Sequence, residues 1–306
     1  MLYGIFYNSK ESLCSIHESG KMCYNALKDS KYFKLDYSEN KIFDYKYDFV
    51  IYNEHFVVNK WITKEMFDKY KKPIFVVITE VGLGNDLILF NSNFFSAYMI
   101  LDPSVTDQDN IFGFPRPLEN IELPEHKENK VPLIGSFGFA TEGKEWHKVV
   151  ELVQKDFNKA IIRFNIPKAT FVPKEFHEQN IRNMLEIIDK IKKPEIKIIL
   201  THDQLSKEDL IKWCSENTIN IFYYNRQHIF KTGLSAVTDQ AISSGRPLLV
   251  TSDKTFRHIH KYIDFYPNIS VKQAIDQTIE GVNKMKKDWS KENFLTKFES
   301  ILKKFI

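Results

Sequence analysis

Residues 131–146 read VPLIGSFGFATEGKEW. Val131 to Phe137 form an apolar run of strand length, Gly138 and Gly143 punctuate a loop, and Lys144 stands where a helix begins. A strand that passes through a glycine loop into a helix opens a βαβ unit, so this stretch predicts a parallel sheet. Downstream the pattern continues. A helix is expected from about Glu145 to Asp156, then a strand KAIIRFN (159–165), another helix, and a strand EIKIILT (195–201). Ser206 and Asp209 have capping-box spacing and start the helix that reaches Cys214. INIFYY (219–224) and RPLLVT (246–251) are the next strands, and Ser270 with Gln273 repeats the capping box before the helix AIDQTIEGVNKM (274–285).

The first half alternates in the same sense. LYGIFY (2–7), DFVIYN (48–53), PIFVVITE (73–80) and AYMILD (97–102) read as strands, with a helix beginning near Ser19. WITKEMFDKYKK (61–72) carries Trp61, Met66, Phe67 and Tyr70 on one apolar face. Between Phe114 and Lys130 the character changes: Pro115, Pro117 and Pro124 disfavour helix and mark a linker. A boundary near residue 125 follows. The fold class is α/β with two Rossmann-like domains, 1–125 and 126–280, and a helical return segment at 281–306. In that tail Trp289, Phe294, Phe298 and Leu302 make a stripe for docking on the protein, membrane contact being the weaker alternative.

Composition narrows the class. The 306 residues are 43% hydrophobic and 27% charged, which is globular material and long enough for two domains. A formal charge of +3, without a basic stripe, argues against a nucleic-acid partner. Cys14, Cys23 and Cys214 form no CxxC pair, and no apolar run reaches membrane-spanning length. A cytoplasmic location is expected, with loose attachment to a membrane surface left open. No HExxH motif occurs and the nine histidines do not cluster with cysteines, so no metal site is expected.

The glycine loop nearly matches a phosphate-binding P-loop. Gly138, Gly143 and Lys144 fit the first seven positions, but Glu145 stands where a Mg²⁺-ligating hydroxyl belongs. Backbone N–H groups at such a junction still suit a phosphate, the alternative being a purely structural turn.

Together with GLSAVTDQAISSGRPLLVT (233–251), this loop resembles the C-terminal domain of two-domain (GT-B-type) nucleotide-sugar glycosyltransferases. The resemblance covers about 120 residues; the first half is similar only in its alternating plan. It implies two domains facing across a cleft, a nucleotide-sugar co-substrate in place of a cofactor, a hydroxyl acceptor, and metal-independent transfer. By position, Gly135, Ser136, Gly138 and Lys144 would line the donor phosphates. Gly233, Leu234 and Ser235 would offer backbone donors, and Asp239 would take the place of the family's ribose-binding glutamate. Two features depart from the family: Ser136 and Phe137 stand where many members carry arginine, and the paired-glutamate motif is reduced to Asp239. A non-catalytic nucleotide binder, or a sugar-nucleotide epimerase or hydrolase, is therefore the alternative.

Several side chains have two readings. Lys144 is a phosphate contact or a solvated helix-start lysine; Asp239 is a ribose contact or a surface carboxylate. Arg163, inside an apolar strand, is either an anion contact or half of a structural pair. Arg226 follows INIFYY at a strand end, where open α/β sheets place ligands, and is a second candidate for the missing positive charge. On the acceptor side His17 is the candidate acid–base group, with Glu18, His55 and Glu80 nearby in strand-end positions. His202 and Asp203 are adjacent and point apart.

Overall fold

The computed structural model describes residues 1–10, 15–55, 59–79, 95–141, 143–168, 173–225 and 233–306. Eleven strands form two wholly parallel sheets in two compact units among these residues. One unit is built on Met1–Glu119 and Asp288–Ile306; the other takes up most of the chain from Asn120 to Lys287.

The first sheet contains β1 (Leu2–Tyr7), β2 (Phe33–Ser38), β3 (Phe49–Glu54), β4 (Ile74–Ile78), β5 (Ala97–Ile100) and β6 (Ile111–Gly113), in the order β2-β1-β3-β4-β5-β6. β3, β4 and β5 are apolar at nearly every position because both sheet faces are covered. On one face α1 (Ser15–Leu27) packs Cys23, Ala26 and Leu27 against Phe6, Phe49, Ile51 and Phe75. The other face buries Tyr52, Ile62, Tyr70, Val76 and Ile78, with Tyr70 coming from α2 (Lys64–Tyr70).

The second sheet contains β7 (Leu133–Phe137), β8 (Ala160–Asn165), β9 (Ile196–Thr201), β10 (Ile219–Phe222) and β11 (Leu248–Val250), in the order β11-β10-β7-β8-β9. One face carries α3 (Trp146–Asp156), α4 (Lys174–Ile191) and α7 (Val271–Gln277), whose Trp146, Val150, Ile188 and Ala274 pack on Ile134, Ile162 and Ile221. Two further helices of this unit, α5 (Lys207–Ser215) and α6 (Val237–Ser243), pack against each other. Both predicted caps form: Ser206 accepts from the Asp209 amide, and Ser270 and Gln273 make a reciprocal box.

The sequence 274–285 is not one helix. It is interrupted at Thr278 between α7 and α8 (Ile279–Asp288), where the Thr278 hydroxyl donates to the Ala274 carbonyl and accepts the Leu248 amide. The tail stripe docks as expected. Helix α9 (Lys291–Leu302) buries Phe294, Phe298, Ile301 and Leu302 in the core of the first sheet, beside α1.

Candidate functional site

In the second sheet the chain winds from β7 through β8 to β9, then crosses back to lay β10 on the other side of β7. Strand order thus reverses between β7 and β10, and open α/β sheets bind ligands at the carboxyl ends of strands flanking such a reversal. Here the loop after β7 meets the segment after β10. Lys144 and Tyr224 form an antiparallel bridge, Asn225 N–H donates to the Gly143 carbonyl at 2.8 Å, and Glu145 N–H donates to Tyr223 at 3.1 Å.

Gly138 sits at φ +126°, a conformation that side-chain-bearing residues rarely adopt. A Cβ there would lie 2.7 Å from Lys144 Nζ and 3.2 Å from Val237 Cγ1. The lysine therefore folds back over its own loop, with its ammonium above the glycine and 5.2 Å from the centroid of the Tyr224 ring. Ser235 Oγ donates to the Tyr224 hydroxyl at 3.3 Å, and the Ser235 amide donates to Thr255 at 3.1 Å. Glu145, the N-cap of α3, makes no side-chain cap bond, and the helix has no acidic residue in its first turn. A cation, a hydroxyl and uncapped helix-start amides gathered at one sheet edge are a setting for an anion.

Of the residues singled out in the sequence, Gly138, Lys144 and Ser235 come together here. Gly233 and Leu234 are half-buried and lead into α6, which carries Asp239 in its first turn at 4% exposure. Gly135 lies inside β7, paired with Arg163 and Asn220, and a Cβ on it would fall 1.9 Å from Asn217 Nδ2. The absence of a side chain there makes room for Asn217. Ser136 is buried in the same strand. Arg163 is held by Asn217, Glu216 and the Trp213 carbonyl and stacks over the Trp213 ring, which is the structural pairing expected of a charge inside an apolar strand. Arg226 and Glu80 lie outside the described residues.

The first sheet has its own reversal, between β1 and β3. It is filled by amides. Asn53 Nδ2 donates to Asn8 Oδ1 at 2.6 Å and to the Ile16 carbonyl at 2.9 Å, while Asn8 Nδ2 donates to the His17 carbonyl at 2.9 Å. Gly20 of α1 packs so closely that a Cβ would meet both amides at 2.3 Å. His17 is buried at 6% exposure, and its ring bridges two carboxylates: Nε2 lies 3.0 Å from Glu39 and Nδ1 lies 3.3 Å from Glu18. Hydrogen bonds from His17 and Tyr37 hold the Glu39 carboxyl below its ordinary range. Burial, with a bond to Glu39, pushes the Tyr37 phenol up to about 12. Glu54, at the end of β3, has its carboxyl raised by desolvation, with Lys60 and His55 opposing.

A cavity of about 240 Å³ runs between the glycine loop and α4, lined by Gly143, Lys144, Trp146, His147, Asn180 and Met184 among others. Among the described residues no group of three His, Cys, Asp or Glu is placed to hold a metal ion, and no helix is long and apolar enough to cross a membrane.

No family model and no curated protein matches the chain. Solved structures do. A glycosyltransferase from Rickettsia africae superposes with a TM-score of 0.67 at 14% identity, covering 99% of this chain and 98% of that one. Anabaena HepE in complex with UDP-glucose gives 0.62 at 8% identity, over 99% and 100% of the two chains. An E. coli structure bound with UDP-2-fluoro glucose gives 0.61 at 9% identity, covering 99% of each. The likeness is one of fold. Two parallel sheets with flanking helices, as two Rossmann-like lobes, are the GT-B-like plan that the sequence predicts.

Proposed function

We propose that the crevice between β7 and β10 binds the diphosphate of a nucleotide sugar, and that the protein transfers the sugar to a hydroxyl acceptor. The observation that carries this reading is the Lys144 ammonium drawn over Gly138 at the strand-order reversal. A lysine ammonium beside the amides of a helix start makes a region of positive potential that suits a diphosphate. The fold-level relatives add support, since two of those described above hold UDP-glucose or its 2-fluoro analogue.

In the transfer, the bond from the anomeric carbon to the diphosphate oxygen breaks as the acceptor oxygen bonds to that carbon. The hydroxyl proton leaves to solvent or a base, and a nucleoside diphosphate is released. Negative charge grows on the departing oxygen, so an ammonium fixed beside it favours the transition state over the bound donor. Asp239, buried in the first turn of α6, is the proposed acceptor for ribose hydroxyls.

Calorimetric titration tests both assignments. Lys144→Ala should weaken UDP binding by about 1.5 to 3 kcal/mol, roughly 10- to 150-fold, and leave uridine unchanged. Asp239→Asn should weaken UDP and uridine alike but not 2′,3′-dideoxyuridine. If both variants bind every analogue as the unmodified protein does, the shared site is wrong.

A further inference from the structure

On the diphosphate reading the donor would lie beside Lys144 and Ser235, and one buried side chain lies against both. Tyr224 is 4% exposed. One face of its ring lies near the Lys144 ammonium, its hydroxyl accepts from Ser235 Oγ, and its ring packs on Phe256 at 4.8 Å between centroids. Its backbone is clamped separately. Thr251 Oγ1 donates to the Tyr224 carbonyl at 2.8 Å and accepts the Tyr224 amide at 3.4 Å, and the bridge to Lys144 runs main chain to main chain. The position of the strand end thus does not depend on the phenol.

We propose that Tyr224 is the positioning residue of the diphosphate site, holding the Lys144 ammonium over Gly138 and the Ser235 hydroxyl at the approach to α6 before any ligand arrives. The proposal rests on the diphosphate reading of the crevice. Its physical basis is twofold. A lysine ammonium sits on a flexible four-carbon stem, and confining it in advance removes an ordering cost that ligand binding would otherwise meet. An aromatic face attracts a cation through its quadrupole without neutralising its charge, whereas a carboxylate in the same place would compete with the phosphates. Ser235, tied through the same phenol, is kept in register with the lysine although 91 residues separate them in the chain.

The test is a pair of double-mutant cycles read by calorimetry with UDP and with inorganic pyrophosphate, alongside thermal melts. Tyr224→Leu should weaken both ligands by roughly 5- to 20-fold, through loss of the cation–π contact and the hydroxyl. In a Lys144→Ala background the same change should add less than about 2-fold, because a residue that acts through the lysine has nothing left to act on. Should the leucine variant melt early, the second cycle decides: Tyr224→Phe and Ser235→Ala should each cost roughly 2- to 5-fold, and the pair together no more than one alone. Losses that multiply in the cycles, or Tyr224 variants that bind as the unmodified protein does, overturn the positioning role and leave Lys144 in place. If Lys144→Ala alone changes neither ligand, the diphosphate reading falls first and the positioning role with it.

Discussion

Each sheet of this protein reverses its strand order once, and the two reversals are treated in opposite ways. Between β1 and β3 the amides of Asn8 and Asn53 bond to each other and to the first turn of α1, with Gly20 pressed against them. Between β7 and β10 a lysine ammonium lies over a glycine and beside a tyrosine ring. Topology supplies a crevice in both cases. What differs is the chemistry placed there. Neutral amides bonded to one another and to carbonyls of α1 knit sheet to helix, whereas an ammonium beside helix-start amides gathers positive potential at the strand ends.

That contrast predicts separable mutational effects. The largest is expected at Asn53→Ala, which removes two donated bonds at a fully buried position and should cost about 3 kcal/mol in denaturant unfolding. UDP affinity of the folded fraction should stay within about 2-fold, and a larger change would dissolve the distinction between the two crevices. Gly135→Ala comes next, at about 2 kcal/mol, since its methyl collides with Asn217 inside the sheet. It too should spare UDP binding. Gly138→Ala should cost less stability, about 1 to 2 kcal/mol of backbone strain, yet weaken UDP by roughly 10-fold as the methyl displaces the ammonium. Three residues apart, the two glycines should exchange rank between the two measurements.

The smallest effect concerns protons. Glu39 in the folded protein titrates below its ordinary value, so its contribution is present above the ordinary carboxylate range and is lost as the pH falls through its folded value. Its side chain is 39% exposed, which keeps the contribution under about 1 kcal/mol. Glu54 has the opposite sign: its folded value is raised, and stability declines as the pH rises from the ordinary carboxylate range through that raised value. Unfolding followed between acid and neutral pH should show Glu39→Gln flattening the acid limb and Glu54→Gln raising stability near neutrality. The reverse pattern would mean that the first crevice is not electrostatically arranged as its hydrogen bonds indicate.

The sheets were legible wherever both faces are buried, because strands such as PIFVVITE and AYMILD stay largely apolar without alternation. β2 was not, since FKLDYS alternates polar and apolar residues at a sheet edge and reads equally as a surface turn. The glycine loop and its lysine were readable from turn chemistry, and the later small-residue helix only through the family resemblance. Tyr224 was hidden in INIFYY as one more strand aromatic; only the crossover that sets β10 beside β7 gives it neighbours. Asn8 and Asn53 were silent for the same reason, being strand-end polar residues 45 positions apart. Arg163 stands in the sequence as a charge in an apolar strand, and its partners Trp213, Glu216 and Asn217 lie 50 to 54 positions away.

Helix α9 has a bearing on how the chain is made. Phe294 and Phe298 fill the core against Phe33, Phe49, Phe75 and Phe114. During synthesis, then, the first sheet leaves the ribosome with the part of this face that α1 does not cover bare until the codons for residues 291–302 have been read and the helix has cleared the exit tunnel. The second unit lies wholly inside that interval and has its own core. Domains generally fold as they emerge, the N-terminal one first. In this chain the internal unit should mature before the one that begins it, and the earliest-made strands wait longest for cover.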